Sequence, residues 1–158
     1  MENGDAWRMS EVELAYIAGL LDGEGNIGIG QQKHRTYSTQ FSLRVAIYNT
    51  DLELLMFVKN ILGGRVRISK KATEGHKVLY IWIVAANMAS DVLKKLLPYL
   101  KHVHNQALLA LEFQLRIQNG KVRGKKRTPE EEIRVRREIK AKISYLNKLC
   151  KKSKRGSV

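Results

Sequence analysis

The chain has 158 residues, enough for one domain with a sizeable core. Its 29 Lys and Arg against 15 Asp and Glu give a net charge of +14, an excess that points to a polyanionic partner. The single cysteine, Cys150, rules out an intramolecular disulfide and a cysteine zinc site; no apolar run approaches the ~20 residues of a membrane helix, and polar Met1–Arg8 predicts no signal peptide. The expectation is a soluble intracellular protein, cytoplasmic or organellar, with no membrane partner.

The first predicted element is a helix. Ser10 and Glu13 make a capping box, and Val12, Leu14, Tyr16, Ile17, Leu20 and Leu21 supply apolar faces. Ala15, Ala18 and Gly19 are small. Gly inside a helix costs ~1 kcal/mol relative to Ala, so Gly19 implies close approach of another helix. The helix stops at Asp22-Gly23-Glu24-Gly25, which presents two carboxylates at one point.

The pattern then becomes alternating. Ile27 and Ile29, then Phe41, Leu43, Val45 and Ile47, predict a half-buried antiparallel hairpin with a polar open face. Thr50 with Glu53 predicts the cap of a second helix, whose buried side would be Leu52, Leu55, Met56, Ile61 and Leu62, ending at Gly63-Gly64. A second hairpin follows, with Val66 and Ile68 toward the core. The phase of its return strand, 78–84, is ambiguous: Leu79, Ile81 and Ile83 inward would put Tyr80 and Trp82 on the open face. Helices follow at about 91–97, disturbed by Pro98, and at about 105–118. Residues 121–127 read as a basic loop. Thr128-Pro129-Glu130-Glu131 starts a last helix to about Leu149, with Ile133, Ile139, Ile143 and Leu146 as its stripe, and Lys151–Val158 reads as a frayed basic tail.

The order is αββαββα followed by two helices, an α+β arrangement in which two hairpins form one curved four-stranded antiparallel sheet with helices on one face. Residues 1–120 are expected to form the core. Residues 121–158 are expected to pack on or extend the same domain. The basic excess is uneven, since residues 116–158 carry 16 Lys and Arg against 4 acidic residues.

The run Ile17-Ala18-Gly19-Leu20-Leu21-Asp22-Gly23-Glu24-Gly25 closely resembles the signature of the LAGLIDADG homing endonucleases, and the element order over residues 10–117 is similar to that family's core. The resemblance implies a metal-dependent endonuclease, encoded in a mobile intron, that hydrolyses both strands of a long, partly palindromic double-stranded DNA site. It implies Glu24 as the catalytic metal ligand, with the Gly23 carbonyl assisting. The implied cation is Mg2+, with Mn2+ or Ca2+ able to occupy the site. Only one motif copy is present, so the active protein is expected to be a homodimer through Ala15, Ala18, Gly19 and Asp22.

Asn49 falls where relatives position water, although helix capping with Thr50 is an equal reading of it. Relatives carry a lysine shortly after a Pro-aromatic-Leu run. Here the matching position is Val103, and Lys101 is the nearest replacement, with His102 and His104 as further options.

A two-stranded ribbon fits the major groove, where Arg and Gln read G and A edges. The candidates for DNA contact are Asn26, Gln32, His34, Gln40, Ser42, Arg44, Arg65, Arg67, Ser69, Lys71, Tyr80 and Trp82. Lys121–Arg127, with Lys125, Lys126 and Arg127, and Lys151–Arg155 would touch phosphates. The rival reading is an intron maturase, with an RNA partner, or a non-cleaving DNA-binding regulator on the same fold. Retention of Glu24 favours the enzyme.

Overall fold

The computed structural model describes residues 10–33, 38–120 and 127–155, with side chains as far as 151. The first helix, α1, spans Glu11–Glu24 and carries the expected capping box, Ser10 accepting from the Glu13 N–H and Glu13 accepting from that of Ser10. It passes without a loop into β1, Gly25–Gln32, which pairs antiparallel with β2, Gln40–Asn49. Then come α2, Leu52–Leu62; β3, Arg65–Lys70; β4, Leu79–Ala85; α3, Ala86–Leu96; a 3-10 turn at Leu97–Tyr99; α4, His104–Asn119; and α5, Glu130–Arg155.

The sheet order is β1-β2-β4-β3, antiparallel throughout. Cross-strand partners share a face. Ile27 opposite Val45, Ile29 opposite Leu43, Val45 opposite Val84 and Ile47 opposite Trp82 therefore line one face, and all are buried. That face packs on Ile17, Ala18 and Leu21 of α1, Leu55 and Val58 of α2, Val92, Leu93 and Leu96 of α3, and Ala107, Ala110 and Phe113 of α4.

The register settles the ambiguous strand against the expected phase. Trp82 is fully buried and Tyr80 is half-buried against the core, so neither lies on the open face. Both faces of β4 are apolar, so alternation carried no information there. The indole decides it: Trp82 Nε1 donates to the Gly63 carbonyl at 2.8 Å. The turn is shaped for this ring. Gly63 and Gly64 have φ of +75° and +92°, and a Cβ at Gly64 would stand 2.9 Å from Trp82 Nε1 and 2.7 Å from Val84.

Other boundaries also moved. The cap of α2 is Asp51, which accepts from the Leu54 N–H at 3.2 Å, and not Thr50. Leu52 and Met56 are exposed, and Val58 takes the expected inward place. Ile68, near the end of edge strand β3, is 55% exposed. The helix expected from 91 begins at Ala86, which has φ 52° and no side-chain cap, so no capping residue marked its start.

The last helix runs six residues past Leu149, to Arg155. No Gly or Pro interrupts residues 130–155, so nothing stops it earlier. Ile133, Ile139 and Ile143 are buried, and Asn147 Nδ2 donates to the Ile27 carbonyl at 2.9 Å. In this way α5 covers the edge strand β1, whose backbone would otherwise be open to pairing. Among the described residues no helix is long and apolar enough to cross a membrane.

Candidate active site and nucleic-acid interface

The acidic end of α1 is built by close packing. A Cβ on Gly25 would stand 2.3 Å from Leu21 Cδ1 and 2.5 Å from the Leu21 carbonyl, so only glycine lets the chain turn directly from helix to strand here. The turn places Asp22 and Glu24 on the two sides of the helix end, and they do different things.

Asp22 serves the fold. Its carboxylate accepts backbone N–H bonds from Lys101 at 2.8 Å and from His102 and Val103 at 3.0 Å each. One side chain thereby pins the loop that joins the 3-10 turn to α4 against the end of α1. Charge-assisted bonds of this kind are stronger than neutral ones.

Glu24 is exposed, and Asn49 Nδ2 donates to its Oε2 in a short hydrogen bond. The Asn49 Oδ1 in turn accepts from the Asp51 N–H at 2.8 Å, where α2 begins. Asn49 thus braces the start of α2 with one end of its amide and holds Glu24 with the other. Glu53 lies in the first turn of α2, where a negative charge suits the helix dipole.

Glu24 opens into a cleft of about 430 Å³. Asp22, Gly23, Glu24, Gly25 and Asn26 form one wall, Tyr48 and Val103 contribute from the sheet and the pinned loop, and Asn147, Cys150 and Lys151 come from α5. Lys101 gives Asp22 its backbone N–H, but its side chain is exposed and is not part of the cleft lining. Sequence reasoning missed Asn147; it placed Tyr48 on the polar hairpin face and Lys151 in the basic tail, and put neither in this cleft. Extending the stripe 133-139-143-146 at helical spacing would have brought 147, 150 and 151 onto the same side, had the helix not been ended at Leu149.

Among the described residues no three His, Cys, Asp or Glu side chains cluster to hold a metal. The end of α1 carries hard oxygens, the Glu24 carboxylate and the Gly23 carbonyl, on neighbouring residues. Such a set fits a cation that keeps most of its waters and takes one or two carboxylates plus phosphate oxygens. Asp22, with three backbone N–H groups on it, is engaged elsewhere.

The open face of the sheet is the second part of the site. Register places Asn26, Gly28, Gly30 and Gln32 of β1 beside Gln40, Ser42, Arg44, Ala46 and Tyr48 of β2. Next come Ile81, Ile83 and Ala85 of β4, then Arg65 and Arg67 of β3. Arg44 lies over Gly30: a Cβ there would stand 3.2 Å from Arg44 Nε. Among the described residues Arg44, Arg65 and Arg67 make no ion pair. They line one hollow with Gly64 and Met88. Ser69 and Lys71 are exposed at the far end of β3 and just beyond it. Trp82 and Tyr80 are removed from this surface by the register described above. Arg127 is exposed, while His34, Lys125 and Lys126 lie outside the described residues.

The outer side of α1 carries a third surface. Val12, 78% exposed, and Tyr16, 52% exposed, align at helical spacing with Ala15, Gly19 and Gly23, and a Cβ on either glycine would meet nothing within 4 Å. The helix that Gly19 implied is therefore not in the described part of this chain. Ala18 is fully buried on the opposite side of α1 and cannot belong to that surface. Asp22 is turned to the 101–103 loop.

The sequence matches the family model for LAGLIDADG endonucleases over residues 17–119. Comparison with curated proteins found no match. Among solved structures, the chain is similar to the homing endonuclease I-CvuI in complex with the I-CreI target in the presence of Mg, at 23% identity. That alignment covers 86% of this chain and 82% of that one, with a TM-score of 0.71. The archaeal intron-encoded homing endonuclease I-Vdi141I, complexed with DNA, aligns at 16% identity over 86% and 84% of the two chains, again with a TM-score of 0.71. I-TnaI, another homing endonuclease, aligns at 17% identity over 87% and 97%, with a TM-score of 0.62. The match runs from Ile17, in the helix that ends in Glu24, through the four-stranded sheet to the end of α4, so the chain belongs to the LAGLIDADG endonuclease family, a family of site-specific DNA endonucleases.

Proposed function

We propose that the protein is a homing endonuclease that acts as a homodimer and hydrolyses both strands of a long, partly palindromic DNA site. The observation that carries this reading is Glu24: an exposed carboxylate at a helix end, oriented by Asn49 and opening into a cleft beside a polar, cationic sheet face. A protein that only bound DNA would have no use for an oriented carboxylate there, which disfavours the non-cleaving regulator.

A DNA phosphodiester resists water at neutral pH, and its hydrolysis needs charge neutralisation and an activated water. A divalent cation such as Mg2+, held by Glu24 and Gly23, would supply Lewis-acid activation of water and phosphate. The remaining tasks belong to the chain. Asn49 keeps the Glu24 carboxylate in one orientation. Asp22 fixes the loop that forms the cleft's far side. Arg44, Arg65, Arg67, Gln32, Gln40 and Ser42 present donors at the pleat spacing that a base-reading ribbon needs.

One Glu24 serves one strand, so two strands call for two chains. The outward-facing stripe Val12, Ala15, Tyr16 and Gly19 supports dimerisation: Val12 is 78% exposed and a Cβ on Gly19 would meet nothing within 4 Å, so a twin helix can approach closely there, which would bring both Glu24 side chains together. The reading is tested by incubating the protein and Mg2+ with a randomised duplex library and sequencing the cut ends. Recovery of a long site with approximate twofold symmetry supports it. Recovery of an asymmetric short site, or of no cut ends, contradicts it.

A further inference from the structure

We propose that Lys151 is a catalytic residue of this chain, its ammonium meeting the scissile phosphate beside Glu24. The inference rests on the endonuclease reading above and adds to it the cation of the cleft. The cleft lining holds two carboxylates, Asp22 and Glu24, and one lysine, Lys151. A phosphate entering beside two carboxylates is repelled unless positive charge is fixed nearby, and fixed charge acts most strongly where charge develops in the transition state.

The last turns of α5 are fixed in place. Asn147, one helical turn before Lys151, donates to the Ile27 carbonyl at 2.9 Å and to Asn26 Oδ1 at 3.3 Å. Gln106 of α4 bridges to Asn147 at 3.5 Å and to Cys150 Sγ at 3.4 Å, and that thiol reaches the His102 carbonyl at 3.7 Å. The segment carrying Lys151 is thus tied to the strand that follows Glu24 and to the loop that Asp22 pins, so the wall and the helix end form one frame. Both Lys101 and Lys151 are exposed, but only Lys151 lines the cleft.

In the hydrolysis a water oxygen bonds to phosphorus as the bond to one ester oxygen breaks. The water gives up a proton, and the leaving oxygen takes one. Lys151 keeps its own protons and balances the negative charge that builds on the phosphoryl oxygens between these events.

The test compares wild type with Lys151→Met, Lys151→Arg, Lys101→Ala, Lys148→Ala and Glu24→Gln on the selected site. Cleavage is read in single turnovers with Mg2+ at saturating protein, and binding is read by fluorescence anisotropy with Ca2+. Lys151→Met should slow cleavage about 100-fold while binding changes less than about threefold, and Lys151→Arg should recover most of that loss. Lys148→Ala should cut at the wild-type rate. Cleavage by Lys151→Met within about twofold of wild type, with Glu24→Gln inactive, overturns the role of Lys151 and leaves the endonuclease reading standing. Loss of cleavage in Lys101→Ala in place of Lys151→Met likewise overturns it. A wild-type protein that cuts no library member overturns both.

Discussion

Asn49 donates one end of its amide to Glu24 and accepts at the other from the start of α2, two bonds that no shorter or apolar side chain can make. Partners that orient a metal-binding carboxylate typically matter by 10–100-fold in metal affinity or activity. Asn49→Ala should therefore slow cleavage by about 10–100-fold with little change in DNA affinity, measured in single turnovers and by a binding titration. Asp22→Ala should act differently, because it strips the acceptor from three backbone N–H groups. The expected result is a loss of about 2 kcal/mol in urea unfolding, with the 101–103 loop losing protection in hydrogen exchange. The motif run made the Asp22–Glu24 pair legible in the sequence. It could not show what Asp22 holds, since the three donors to it lie about eighty residues away and are backbone groups with no signature. The place of Lys151 in the cleft was hidden for a similar reason: it lies there only because α5 folds back along β1.

At the scale of elements, helix α1 faces two ways. Ile17, Ala18 and Leu21 pack into the chain's own core, while Val12, Ala15, Tyr16, Gly19 and Gly23 face outward. A Cβ on Gly19 would meet nothing within 4 Å, so Gly19→Leu should give a folded protein that sediments as a monomer and no longer cuts. A dimer of unchanged strength would place the interface elsewhere. Trp82 makes the opposite kind of prediction. It is fully buried in β4 and bonded to the Gly63 carbonyl, so Trp82→Ala should cost about 3–5 kcal/mol of stability, read by denaturant unfolding. The first hairpin was readable because its two faces differ in polarity. The last strand of the sheet was not, because Leu79, Ile81 and Ile83 compete with Tyr80, Trp82 and Val84, and only the Gly63-Gly64 turn and the pairing with β2 decide between them.

Across the whole molecule, the charge divides into two roles. Arg44, Arg65 and Arg67 have a fixed register on the open sheet, and Arg127, exposed just before α5, does not. Arg67→Ala should relax base preference at one position in each half-site, losing ~1–3 kcal/mol of discrimination. Arg127→Ala should weaken all sequences alike and reduce the salt slope by about one. Titrations on matched and mutated sites over several salt concentrations separate the two. The most direct measurement of the central claim compares wild type with Glu24→Gln on a site recovered from the randomised library, following strand cleavage with Mg2+ and binding with Ca2+. Wild type should cut both strands, and Glu24→Gln should bind the site with similar affinity and cut neither. Cleavage by Glu24→Gln at the wild-type rate would contradict the assignment of Glu24, and with it the account of how this helix end works.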